Sequence, residues 1–165
     1  MARVSRHGAE VRFFVVFVTL TLGMFAVLYL AHDLIVVRIN QYVAQVSGAI
    51  VGALGSDVVT AGAVIMASGF AVEIKNNCNA IYEFGLFTAA VWAYPASIGA
   101  KIAGTLIGAG VLTLVNVVRV VTLVALGVTA REWFEITHLY VWQAAFFAVV
   151  ALCWFGWVLR VSPRT

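Results

Sequence analysis

The sequence is poor in charge. Of 165 residues, ten are Lys or Arg and seven are Asp or Glu, 10% in all, where a soluble domain carries about a quarter. That scarcity excludes a water-soluble globule. With 64% hydrophobic residues and a mean hydropathy of +1.05, the chain belongs in a bilayer, and its length gives one domain, residues 1–165. Proline and cysteine are scarce too, two of each. Cys78 and Cys153 lie half a chain apart in dissimilar surroundings, which argues against a disulfide. One Cys with one His and no second spaced pair is a poor zinc set, and no glycine run follows a phosphate-loop or dinucleotide pattern, so no cofactor is expected. A continuous basic face is also missing. The net charge of +3 sits at segment ends, which points to membrane lipid and away from nucleic acid.

What is present is a set of long apolar runs. Residues 11–31, 80–94, 98–128 and 139–159 are each near the ~20 residues that span a ~30 Å hydrocarbon layer. The first follows Arg3, Arg6 and Arg12. Its apolar core is too long for a signal peptide and no small-x-small cleavage site follows it, so it reads as a retained helix. Pro95 stops the second run. Lys101 marks the turn into the third, and Arg160 and Arg164 close the fourth. In a four-span chain all three basic groups fall on one side, which the positive-inside rule makes cytoplasmic, with both termini.

Residues 32–78 then lie outside. Ile35, Ile39, Tyr42, Val43, Val46, Ile50 and Leu54 recur at helical spacing, interrupted by Arg38, Asn40, Gln41 and Gln45. This predicts an amphipathic helix lying on the outer membrane face. The β-branched, glycine-punctuated stretch "SDVVTAGAVIMASGFAVEIKNN" predicts a hairpin of two short strands, turning at "ASG". The expected fold is therefore an all-α polytopic membrane protein of about four transmembrane helices, with an outer-face helix and a short β-hairpin.

Against this background a few polar residues stand out. Arg119 lies deep in "TLVNVVRVVTLVAL", with Asn116 on the same helical face. An ionisable group at that depth marks a functional cavity or a structural arginine that snorkels or pairs with an acid such as Glu83. Cys78, in "KNNCNAIYEFG", reads either as small apolar filler or as a thiol at a helix N-terminus, where the dipole and Lys75 favour the thiolate. Asn76, Asn77 and Asn79 surround it with hydrogen-bonding groups. His138, in "REWFEITHLY", opens the last span as a polar entry residue or a site group; His32 is a weaker candidate and His7 lies on the other side. Cys153, in "ALCWFGW", reads as filler. Cys78, Arg119 and His138 come from three helices but share the outer half of the bundle. A thiolate nucleophile, a histidine that shuttles the proton and a fixed cation for the oxyanion make up acyl-transfer chemistry.

The order of a cysteine at a helix entrance, "NVVR" in the next span and a histidine at the start of the last one resembles the exosortase/archaeosortase family, over about residues 57–140. The short forms, such as exosortase H, would extend the resemblance over the first helix. The resemblance implies a membrane-embedded cysteine protease or transpeptidase of the bacterial cytoplasmic membrane, with Cys78 as nucleophile and Arg119 and His138 as its partners. It implies secreted protein substrates bearing a C-terminal motif, a helix and a basic tail. Many members follow the cysteine with Ser or Ala and then Gly; here Asn79 and Ala80 follow. Glu83 is expected to orient Arg119, with Asn116 and Asn79 as hydrogen-bonding support. The alternative is a non-enzymatic scaffold or small transporter subunit held together by an Arg119–Glu83 pair.

Overall fold

The computed structural model describes residues 2–76 and 78–162, with side chains from Gly8 onward. Asn77, Arg164 and the side chains of Arg3, Arg6 and His7 lie outside the described residues. The chain runs α1 (Ala2–Leu30), a π-helical turn (His32–Val36), α2 (Val37–Ala53), β1 (Val58–Ala61), β2 (Val64–Ala67) and β3 (Phe70–Glu73). It continues with α3 (Ile81–Ala93), α4 (Ile98–Thr129), a 3₁₀ turn (Arg131–Trp133), the single turn α5 (Phe134–Ile136), a second π-helical turn (Thr137–Val141) and α6 (Trp142–Val161). Among the described residues, four stretches are long and apolar enough to cross a membrane: Gly8–Leu30, His32–Ala53, Ile98–Thr129 and Arg131–Val161.

The count of four matches the sequence expectation, but its membership differs. Residues 80–94, read as a span, form a helix of 13 residues, about 20 Å at 1.5 Å per residue and short of the hydrocarbon thickness. Two local features set its length. Ala80 adopts a left-handed conformation (φ 60°) that ends the preceding loop, and Tyr94 turns extended before Pro95. Conversely, 32–53, read as a surface helix, meets the length and composition of a span and packs against α4 and the sheet.

The packing face of α2 is also not the one its apolar stripe suggests. Its buried residues are Asn40, Val43, Ala44, Ser47, Gly48 and Val51, while Tyr42 and Leu54 are 62% and 73% exposed. Tyr42, Ile50 and Leu54 face outward while Asn40, Ser47 and Gly48 join Val43 and Val51 on the inner face, as close approach and hydrogen bonding between membrane helices favour.

The hairpin gains a strand. β1, β2 and β3 form an antiparallel sheet in sequence order, with Val58 opposite Ala67 and Ala67 opposite Phe70. "ASG" does turn the chain, Ser68 and Gly69 both taking positive φ, and Gly62 at φ 60° makes the extra two-residue turn between β1 and β2. Ile65, Ala67 and Phe70 form the inner face of the sheet. Its contact with the helices depends on two glycines: a Cβ on Gly48 of α2 would strike Thr60, and one on Gly127 of α4 would strike the Phe70 ring.

Two cores result. One joins Val43, Ala44, Val51, Ile65, Ala67, Ile74, Val120 and Val124, and includes Cys78. The other joins Phe87, Val91, Leu112, Phe146 and Val150 between α3, α4 and α6. In the second, Phe87 lies on Gly108 and Trp157 on Gly104. Trp157 Nε1 donates to the Ala100 carbonyl at 3.1 Å and the Tyr94 hydroxyl meets Ser162 Oγ at 2.7 Å. Near the start of α1, Phe13 lies beside Trp154, and near its end Phe25 packs edge-on to Tyr82. These contacts bring Arg12, Lys101 and Arg160 to one end of the bundle. The starts of α3 and of the last helical stretch, with the end of α4, lie at the other.

Candidate active site

At that second end the loop from Ile74 to Ala80 carries the cysteine. The Cys78 N–H donates to the Lys75 carbonyl at 2.8 Å, closing a turn. Asn79, not Cys78, meets the start of α3: its Oδ1 accepts from the Ile81 N–H at 3.0 Å. Its Nδ2 donates to Asn40 Oδ1 at 2.6 Å, tying the loop to α2. Asn79 therefore holds the loop in place, and Cys78 sits three residues before α3 rather than at its N-terminus.

Cys78 Sγ lies 3.1 Å from His138 Nε2. Cys78 is buried and His138 partly exposed. His138 sits on the π-helical turn Thr137–Val141, and the Phe134 ring, one turn earlier, lies against it with centroids 5.7 Å apart. Phe134 in turn packs edge-on to Phe70 of β3 at 5.1 Å, and the Arg131 guanidinium lies 5.5 Å from the Phe70 ring. An aromatic chain thus fixes the imidazole relative to the sheet. Nothing in the sequence periodicity identified Phe70 or Phe134; their spacing to Gly127 and His138 is meaningful only after folding.

Behind the pair lies Arg119, 1% exposed, its guanidinium 5.9 Å from the Phe146 ring. Its Nε and one terminal nitrogen have no hydrogen-bond partner among the described residues, and neither does Oδ1 of buried Asn116. The expected Glu83–Arg119 ion pair is not formed among the described residues, and Glu83 Oε2 is itself without a partner there. Glu83 therefore does not orient Arg119 by direct contact.

The thiol is not placed as a helix-terminus thiolate, since α3 starts at Ile81. Burial pushes the Cys78 pKa above the usual thiol range, and the Arg119 charge and the Cys78 backbone hydrogen bond to Lys75 offset only part of that rise. This loop does not deliver the helix dipole expected from the sequence. A neutral thiol within reach of an imidazole nitrogen instead suits proton removal at the moment of attack.

His32 is engaged elsewhere: its Nε2 lies 3.3 Å from the Asn76 amide and its Nδ1 3.2 Å from Asp33. Cys153 lies partly buried in α6, remote from Cys78, and neither cysteine is in a disulfide. Over the Cys78–His138 pair opens a cleft of about 700 Å³, walled by β3 and Lys75 on one side and by Arg131, Glu132 and Glu135 on the other. The chain matches no family model, no curated protein and no solved structure.

Proposed function

We propose that this protein is a membrane-embedded cysteine peptidase or transpeptidase acting on C-terminal sorting signals of secreted proteins. The observation that carries the reading is the 3.1 Å contact between Cys78 Sγ and His138 Nε2 at the mouth of an open cleft. His138 takes the thiol proton as sulfur attacks the scissile carbonyl, and the carbonyl π pair moves to oxygen. Collapse expels the amine, which takes the proton from His138 and leaves a thioester on Cys78. Water or an acceptor amine then attacks the thioester and releases the thiol. Arg119, buried with N–H groups that have no partner among the described residues, supplies a positive potential beside the developing oxyanion.

The resemblance to exosortases adds two points. The position where many members carry glycine is Ala80, here in the left-handed region that favours glycine. The gathering of Arg12, Lys101 and Arg160 opposite the site fits an outward-facing active site in the bacterial cytoplasmic membrane, with cytoplasmic termini. The scaffold alternative rested on an Arg119–Glu83 pair, and no observation favours it.

The test is processing of a co-expressed secreted protein bearing a motif, helix and basic tail. Cys78→Ala should abolish cleavage, and His138→Ala should slow it by about 10²–10⁴-fold, with both variants accumulating in the membrane. Normal processing by Cys78→Ala would overturn the assignment.

A further inference from the structure

β3 is an edge strand, and its free side faces the cleft. Ala67 and Phe70 flank a two-residue turn and so exchange both ladder hydrogen bonds. The alternation then continues: Val72 points its backbone groups toward β2, and the Ile74 N–H donates to the Ala63 carbonyl at 2.8 Å. Ala71 and Glu73, between them, turn their N–H and C=O groups away from the sheet. No described residue bonds to them, and both residues are exposed and line the cleft. The chain continues from this edge through Lys75 to Cys78, and the wall from Arg131 to Glu135 stands opposite.

An open edge is a liability that proteins usually blunt or cover. Here it borders a cleft whose inner end is a thiol–imidazole pair. We propose that the substrate docks as an extended fourth strand on β3, its backbone pairing with Ala71 and Glu73 and its scissile carbonyl brought to Cys78. The inference rests on the peptidase reading and adds how the peptide is held. The ligand chemistry follows from the edge itself. Donor and acceptor pairs recurring every second residue are matched by another extended polypeptide backbone, and by no headgroup or sugar with the same period. Recognition of this kind reads the backbone first and leaves side-chain preference to the walls, among them Arg131, Glu132 and Glu135.

The experiment uses the full chain in detergent and follows protection of Cys78 from iodoacetamide. The probes are an acetylated Ala/Val pentapeptide aldehyde and butanal. With either, the Cys78 sulfur bonds to the aldehyde carbon, the π pair moves to oxygen and the thiol proton follows it, giving a hemithioacetal. The peptide aldehyde should protect at about 100-fold lower concentration than butanal, the yield of two to four backbone hydrogen bonds. Methylating its amide nitrogens one at a time should weaken protection at alternate positions only. Ala71→Pro removes one outward N–H without touching the β2 ladder, and should erase the advantage of the peptide while butanal still protects. Equal protection by the two aldehydes, or a methylation effect without alternation, would overturn the docking mode and leave the peptidase reading intact. Protection by neither aldehyde, together with normal processing by Cys78→Ala, would remove both. The methylation series changes only the probe, so it decides the matter even if Ala71→Pro folds poorly.

Discussion

The two ends of the bundle are built from the same helices by opposite means. At the basic end, large aromatic rings lie on glycines, as Phe87 on Gly108 and Trp157 on Gly104, and the half-buried Trp157 indole and Tyr94 phenol find partners in Ala100 and Ser162. The site end holds every buried polar or charged residue among those described: Asn40, Ser47, Asn79, Asn116 and Arg119. Ser47, Asn116 and Arg119 each keep an unpartnered polar atom there. A packed interior normally satisfies such groups, and exceptions concentrate where a ligand completes them. Trp154 Nε1 at the basic end also lacks a partner among the described residues, but only at the site end does the unpartnered group carry a full charge, on Arg119, beside a thiol.

The contrast is most open to attack at Arg119. Arg119→Gln should lower turnover by about 10²-fold, the scale of a lost oxyanion-stabilising group. It should also slow iodoacetamide labelling of Cys78 near pH 8. The sign follows from the charge: Arg119 holds the thiol pKa down, so its loss moves that pKa further up and leaves less thiolate. Tyr94→Phe at the basic end deletes a 2.7 Å hydrogen bond and should cost about 1 kcal/mol of stability with turnover unchanged. Equal losses of turnover in the two variants would dissolve the distinction.

A smaller effect is expected from paired glycines on α4. Gly127→Ala and Gly108→Ala both overpack a ring, at a cost of about 1–3 kcal/mol each. Thermal unfolding in detergent should register both. Only Gly127→Ala should reduce activity, because it displaces Phe70, against which Phe134 and then His138 are held. Ala80→Gly should have the least effect. Relief of left-handed backbone, about 1–2 kcal/mol, is offset by about 0.5–1 kcal/mol of added chain entropy, leaving a slight gain in stability and unchanged labelling of Cys78.

Much of the helical frame was legible in the sequence, because runs such as 98–128 have the length a bilayer demands. So was the common end of Cys78, Arg119 and His138, which follows from counting helix ends. The face of α2 was not: hydrophobic periodicity locates the core in water, whereas here Tyr42 and Leu54 face outward and Ser47 and Gly48 pack inward. The third strand had a signal, Gly62 followed by one residue between β-branched runs, weaker than "ASG" because one glycine also suits a helix. The cysteine was placed correctly in the chain but not in its electrostatics. Asn79 and Ala80 intervene before α3, and a shift of three residues removes Cys78 from the helix end. The aromatic chain behind His138 left no trace, since Phe70 and Phe134 are distant in sequence and ordinary in composition.

The length of α4 has one further meaning. Arg119 lies 18 residues beyond Lys101 on one unbroken helix, about 27 Å at 1.5 Å per residue. With Lys101 held at one membrane surface, the guanidinium stands close to the opposite boundary of a ~30 Å hydrocarbon layer. The helix then acts as a ruler. On the proposed chemistry, the bond that is cut is chosen partly by its height above the lipid, and inserting a few residues between the substrate's motif and its own helix would carry the scissile carbonyl out of reach.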